Sequence, residues 1–514
     1  MGRVSSALAL LLLLAGCQTY EAQTEGLAQA NKAGSLGSAV VQADQQAKAG
    51  VGSKDELIFR LEQGAVLRTA GLADPTAVPD IRPPAPELKK GEPAPAPLPP
   101  PSAAEVHAHY LNRSLAAFDQ AEEKVNAWEE EAKVKVGAEL GAALTNQASL
   151  PYRGRAYDKV MMNTYKALNY LSLGDKDKAR VELNRSLQRQ RDAVEANAKR
   201  IASAQEEADA AREGKVKDEK GKSASYDTNR ATNDARTGPA LQAALNESIA
   251  SMKPYGDYVN PFSVFLDGLF FTVLGENGSD FEHGRKSFER VASMVPENSY
   301  LKEDLDAAAN AAEGKAPTGV TYVIFETGSA PSRTQVRVDI PTFVVTSNLA
   351  YVGASFPKLV FDGNFIGSLG IAAGDKNYTT ATVASMDSVV ANDFKNEWPT
   401  IVTKTLITTA TKAIIQAAIQ KELNDRGGWA AGLIGAAVLS GVNASTNIAD
   451  TRTWRSLPKE FQYARVATPE NRELTLTAGT EHKTVVLEPG AVNVVYVKSA
   501  SPTSPLLVST FVLK

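Results

Sequence analysis

Between residues 79 and 101 the chain reads PDIRPPAPELKKGEPAPAPLPPP, ten prolines in 23 positions. Proline fixes φ and carries no amide hydrogen, so neither a helix nor an inner sheet strand passes through such a tract. The tract therefore divides the chain, and it favours extended polyproline II at about 3.1 Å per residue, a semi-rigid spacer. On its N-terminal side, residues 18–50 are rich in Ala, Gly, Gln and Ser. Such a segment has too few large apolar side chains to offset the entropy of ordering. Only Asp55-Glu56-Leu57-Ile58-Phe59-Arg60-Leu61 reads there as a short helix. Residues 17–102 are thus expected to form a disordered, Pro-rich tether that holds the folded part off whatever anchors the N-terminus. Behind it the residue pattern predicts an α+β protein: a helical domain over 103–315, then a β-rich, sandwich-like domain over 316–514 with helices inserted at about 399–446.

The other end of the tether carries an address. Arg3 precedes an apolar run over residues 7–15, the layout of an export signal whose apolar core is too short to span a bilayer. The run closes in Leu14-Ala15-Gly16-Cys17, which resembles the lipobox of bacterial lipoprotein signal peptides. That resemblance implies cleavage after residues 1–16, with Cys17 lipidated through a thioether and its amine acylated. Cys17 is the only cysteine of the chain, so no disulfide competes for it. Acyl chains contribute about 0.8 kcal/mol per buried methylene, and two or three of them anchor durably. Gln18 in place of an acidic residue implies, by the same resemblance, sorting to the outer membrane and a periplasm-facing body.

From residue 103 apolar residues recur at helical spacing. Over 110–140 the stripe is Leu111, Leu115, Phe118, Ala121, Val125 and Trp128, which predicts a core-packing helix. In KALNYLSLGDKDKARVELNRSL, the residues Ala167, Tyr170, Gly174, Ala179 and Leu183 fall at tetratricopeptide-like spacing, with Gly174-Asp175 as the turn. A second copy places Gly268, Phe271 and Gly275 in the first helix and turn, and Phe288 and Pro296 in the second helix and stop. About seventy residues separate the copies, including a charged helix from residue 178 to about 217. The expectation is an embellished helical bundle whose concave repeat surface binds envelope proteins.

Past residue 316 the composition shifts to Val, Ile, Thr, Tyr and Phe. VTYVIFETG, RTQVRVDIPTFVV, KLVFDGNFIGSLG, ELTLTAG, KTVVLEPGAVNVVYVKS and PLLVSTFVLK read as strands, with Asp362-Gly363-Asn364 as a hairpin turn. Within the inserted helices, Gly428, Gly432 and Gly435 share a small-residue face. The apolar run over 429–442 is shorter than the roughly twenty residues that span a bilayer, which favours a core helix over membrane insertion or self-association.

The inventory of reactive groups is sparse. The four histidines are His107, His109, His283 and His482, without acidic or thiol ligands at zinc-site spacing, so neither a metal nor a cofactor is expected. Gly221-Lys222-Ser223 imitates the end of a phosphate loop, but its leading glycine is misplaced and a charged helix precedes it. One short segment, Asp450-Thr451-Arg452-Thr453-Trp454, gathers an acid, a guanidinium and an indole. Asp450, Arg452 and Trp454 form either a binding loop for a glycan or peptide or a structural lock in which Asp450 pairs Arg452 and Trp454 plugs the sandwich; the lock is favoured.

LPYRGRAYDKVMMNTYKALNYLSLGD, ETGSAPSRTQVRVDIP and ADTRTWRSLPKEFQYARV resemble segments of a family of bacterial outer-membrane lipoproteins with tetratricopeptide-like helices and a C-terminal β domain. The resemblance covers residues from about 150 to the C-terminus, and it implies an envelope protein with no assigned reaction. The expected role is a periplasmic protein-interaction scaffold or assembly factor without catalysis. Alternatives are a regulator of peptidoglycan synthesis that contacts peptidoglycan or its synthases, and an envelope hydrolase built on paired carboxylates. A formal net charge of −4 excludes the strongly basic surface of a nucleic-acid binder.

Overall fold

The computed structural model describes residues 20–83, 99–134, 147–217, 221–250, 252–253, 255–342, 351–446 and 448–514, with side chains described except at 132–134, 420, 421 and 423–446. Cys17, the signal peptide and the side chains of the glycine face at Gly428, Gly432 and Gly435 lie outside these residues.

The largest departure from expectation is at the N-terminal side of the proline tract. Three helices form there: α1 (Tyr20–Lys32), α2 (Leu36–Ala49) and α3 (Glu56–Gly71). Each is weakly apolar alone, but α3 buries Leu57, Ile58, Leu61, Ala65, Val66, Leu67 and Ala70 in the main core, and α2 buries Ala39, Val40, Ala43 and Ala47. Small side chains let the helices approach closely: a Cβ at Gly64 would stand 2.4 Å from the Phe118 ring. The tether over 17–102 is therefore corrected for residues 20–78, which are folded. The proline tract is an internal connection between α3 and α4 (Ala103–Val134). Its described stems are pinned, with the Tyr110 hydroxyl donating to the Pro79 carbonyl at 2.8 Å and Arg82 donating to the Pro99 carbonyl at 3.4 Å.

The helical region continues with α5 (Ala156–Ser172), α6 (Lys176–Arg212), α7 (Thr228–Thr232), α8 (Thr237–Ile249), α9 (Pro261–Leu274), α10 (Gly278–Met294) and α11 (Tyr300–Ala312). Asp175, Asp227, Asn260 and Asn277 cap α6, α7, α9 and α10 by accepting first-turn amide hydrogens. Strands then follow, so the protein is of the α+β class, with a long helix inserted among its sheets.

A five-stranded sheet forms the centre in the order β11 (Leu507–Val512), β10 (Val492–Ser499), β1 (Val320–Thr327), β7 (Glu460–Ala467), β6 (Ala381–Ser385). Its β1–β10 pairing is parallel and the others are antiparallel. Successive side chains alternate between faces. Val323, Phe325, Ala464, Val466, Val495 and Val497 meet Ile371, Leu474 and Leu476 of a four-stranded antiparallel sheet, β5 (Lys376–Thr379), β4 (Gly370–Ala373), β8 (Glu473–Ala478), β9 (Glu481–Val486). Tyr322, Ile324, Phe461, Tyr463 and Tyr496 point the other way, into the helices. Both β1 and β10 are buried along their whole length. The remaining strands, β2 (Ser332–Pro341) and β3 (Tyr351–Val360), pair only with each other. Asp362-Gly363-Asn364 turns the chain, with the Asn364 amide donating to Asp362 at 2.9 Å, but it joins β3 to a strand of another sheet and closes no hairpin.

Helix α12 (Met386–Thr446) is inserted between β6 and β7 and contains Pro399. At 1.5 Å per residue, about 73 Å would separate Glu397 from Thr446 in a straight helix. Yet Arg155 holds both the Glu397 carboxylate and the Arg452 carbonyl, and six residues link Thr446 to Arg452, a reach of about 22 Å. The helix therefore does not run straight between these points, and it begins at Met386, before the expected start at about 399. Among the described residues no helix is long and apolar enough to cross a membrane.

Candidate functional site

The tetratricopeptide-like spacing marks real helical hairpins. Ala167 and Ala179 are fully buried and Leu183 nearly so, where α5 and α6 cross, and Gly174 turns between them at φ +80°. Tyr170 is partly buried beneath Lys178. In the second hairpin a Cβ at Gly268 would lie 3.1 Å from the Phe288 ring, and Gly275 is the residue at which α9 stops. Phe271 stacks on His283 at 4.2 Å, and Pro296 follows the end of α10. The hairpins touch each other despite their sequence separation, through Thr164 and Ser263 hydroxyls 2.7 Å apart.

Their inner face is not open. Tyr165 of α5 donates to Glu326 of β1 at 3.0 Å. Phe262 of α9 stacks on Phe461 of β7 with ring centroids 3.9 Å apart, and Phe265 sits 4.3 Å from Tyr463. The central sheet thus occupies the surface that a repeat array presents to a ligand. This corrects the expected concave binding surface and leaves the outer helices, α6 and α10, to solvent on their polar faces.

The loop after α12 is likewise inside the protein. Arg452 is 3 % exposed. It forks onto Asp450 at 2.7 and 2.9 Å, reaches Asp55 at 3.0 Å, and donates to the carbonyls of Leu150 and Gln147. Burial raises the Asp450 carboxyl, but the Arg452 charge and hydrogen bond outweigh it and hold Asp450 below its ordinary value. Trp454 has no exposed surface and lies edge-on to Phe118 and Tyr165, with centroids 5.9 and 6.0 Å away. Of the two readings of Asp450, Arg452 and Trp454, the geometry is that of the favoured lock and not of a binding loop, since neither the guanidinium nor the indole faces solvent.

Sequence reasoning missed the charged groups that complete this seam. Arg155, at the start of α5, grips both Glu397 oxygens at 2.8 and 2.9 Å, and Arg333 of β2 adds a third contact at 2.9 Å. Glu62 of α3 accepts from the Tyr20 hydroxyl at 3.1 Å, the Arg455 and Ser456 amides at 2.6 and 3.1 Å, and the Ser456 hydroxyl. Glu326 accepts from Tyr165, Tyr496 and Lys498, beneath the Arg68 guanidinium that stands 4.5 Å from the Tyr496 ring. The available signal was a charge within an otherwise apolar strand, Glu326 in VTYVIFETG and Lys498 in VVYVKS. Beside Glu62, with Thr24, Asn31 and Arg455, lies a crevice of about 10 Å³, the room one water needs. His107 bridges the Gly71 carbonyl at 2.7 Å and the Ser172 hydroxyl at 2.9 Å, tying three helix ends together. Among the described residues no three His, Cys, Asp or Glu side chains gather as metal donors.

Two of the buried acids set a pH dependence. Burial pushes Glu62 up to about 7 and Asp304 up to about 6, against the hydrogen bonds each accepts. An unfolded carboxyl titrates near its ordinary value of about 4. Between that value and the folded one, the native state holds more protons than the unfolded chain, so stability falls as pH rises. His283 acts in the same sense: its hydrogen bond to Asp267 raises it, and that contribution fades as pH climbs through the folded value. Glu397, held down at about 2 by Arg155 and Arg333 against its burial, opposes them only in acid, below its ordinary range. The thermal midpoint is expected to peak near about pH 5 and to fall toward about pH 8, with Glu62 contributing on the order of 3 kcal/mol. A midpoint that stays level or climbs over that interval would contradict the assignment, and Glu62→Gln is expected to flatten the profile.

No family model, no curated protein and no solved structure matches the chain.

Proposed function

We propose that the chain is an outer-membrane lipoprotein whose periplasm-facing body docks other envelope proteins as a scaffold or assembly factor. The observation that carries this reading is Leu14-Ala15-Gly16-Cys17 at the end of an apolar export-type run, with Cys17 the only thiol of 514 residues. The buried seam supports a structural rather than a reactive role for the clustered charges, because every arginine and carboxylate named above is engaged by another part of the chain. The two hairpins offer partners the outer helices α6 and α10, where Val181, Val194 and Ile201 of α6 are 43–52 % exposed. The alternative as a regulator of cell-wall synthesis relied on a long tether reaching toward peptidoglycan. It loses that support, because residues 20–78 are packed into the core.

Feeding cells an alkyne fatty acid tests the anchor: the mature N-terminal peptide is expected to carry label on Cys17, and an unlabelled chain with its leader intact would refute it. In vivo crosslinking followed by mass spectrometry tests the docking role. Specific envelope partners linked through α6 or α10 are expected, and their absence in repeated crosslinked preparations would refute a scaffold.

A further inference from the structure

Only Gln18 and Thr19 separate Cys17 from the first residue of α1. Three residue steps span at most about 11 Å. The far end of that short link is immobile, because Tyr20 is 5 % exposed and its hydroxyl bonds to Glu62 at 3.1 Å and to the Thr453 carbonyl at 3.0 Å. A chain anchored at Cys17 thus has no stalk, and the surface around α1 must lie within reach of the lipid headgroups.

That surface is the α1–α2 hairpin. The hairpin brings the end of α2 back beside the start of α1: Gln46 donates to the Gln23 carbonyl at 2.8 Å, and Phe59 packs both on Gly50 and on Tyr20, 6.0 Å between rings. Two large apolar side chains stand out from it, Val41 on α2 at 45 % and Val51 in the following turn at 60 % exposure. Lys48 and Lys54, both exposed, lie between and beside them. The nearby acids are engaged within the protein: Asp44, between Val41 and Lys48 on α2, by Arg113, Asp55 by Arg452 and Lys54, Glu56 by Lys124, Glu25 by Arg455. Glu21 is half-buried near Thr451 and Arg455. Apolar side chains rimmed by lysines suit the boundary between acyl chains and anionic headgroups.

We propose that the outward face of the α1–α2 hairpin, with Val41, Lys48, Val51 and Lys54, rests on the bilayer that holds the Cys17 acyl chains. The body is then fixed in orientation, with α3 and α5 linking the hairpin to α6, since α2 packs on α3, α3 on α5 and α5 on α6. This rests on the lipoprotein reading, and the test separates the two.

The lone native cysteine makes the experiment direct, because an acylated Cys17 leaves no free thiol. Val41→Cys, Val51→Cys and, as a control on α6, Val181→Cys are each labelled with an environment-sensitive fluorophore in the full-length acylated protein, reconstituted in phosphatidylethanolamine vesicles containing phosphatidylglycerol. All three sites are exposed, so the substitutions leave the fold intact. Lipids brominated on the acyl chain are expected to quench the labels at 41 and 51 and to spare the label at 181. If mass spectrometry finds Cys17 acylated and the labels at 41 and 51 remain as water-exposed as that at 181, the resting surface is overturned and the anchor stands. Labels shielded from water but untouched by brominated lipid would place a second chain on the hairpin, which also overturns it. An unacylated Cys17 would remove both readings.

Discussion

Replacing Trp454 with alanine is expected to lower stability by about 3–5 kcal/mol, the range for deleting a fully buried aromatic side chain. A domain commonly has about 5–15 kcal/mol in total, so this is a large share. The indole fills the space where α4, α5 and the loop after α12 converge, against Phe118 and Tyr165. Those rings belong to elements far apart in sequence, so a cavity there cannot be closed by a local adjustment. The measurement is the midpoint of urea or thermal unfolding, followed together with resistance to proteolysis. A Trp454→Ala chain as stable as the parent, yet unable to capture a crosslinked partner, would return the residue to the role of an exposed platform.

Lys498→Met is expected to cost about as much, by a different route. Glu326 and Lys498 are buried together, with 1 % and 5 % of their side-chain surface exposed. Burial raises Glu326, but the Lys498 and Arg68 charges outweigh that and hold it below its ordinary value. Removing the lysine leaves a buried carboxylate short of its nearest countercharge, a loss of about 3–5 kcal/mol. Its folded pKa then rises, so the native state takes up a proton before the unfolded chain does, and the defect shrinks as the solution is acidified. Pairing Lys498→Met with Glu326→Gln removes the charge while keeping an acceptor for Tyr165 and Tyr496. The double variant is expected to recover most of the lost stability at neutral pH. Equal midpoints for the single and double variants would show that the ion pair is not what the site depends on.

The parts of the fold legible in the sequence are those whose signals are local. Gly174-Asp175 announces a helical turn through glycine's access to positive φ and aspartate's capacity to cap, and α5 and α6 meet there. The stripe Leu111, Leu115, Phe118, Ala121, Val125 and Trp128 needs only its own spacing to predict a buried helix face, and the first five are buried with Trp128 partly so. Helices α1 and α2 were illegible, and α3 legible only in its first turns at Asp55–Leu61, for the complementary reason. Ala39, Ala43 and Ala47 carry little apolar surface each, and the helices are held by distant partners: α3 by Phe118 of α4, α1 by the backbone at Thr453. The same division runs through the candidate site. Asp450, Arg452 and Trp454 stood out as a cluster, but the acid that completes the Arg452 fork is Asp55, 397 residues away. No spacing rule reaches that far, and without it a lock and a binding loop look alike.

The wiring of the core also bears on when the protein can become itself. Tyr20 is fastened to Thr453, and β1 lies between β7 and β10, both of which follow α12 in the chain. Synthesis delivers the N-terminus first, so the earliest helices and the middle strand wait for partners that are made last. The unfinished polypeptide therefore stays pliable until the last strands are made and the two ends of the molecule close on each other.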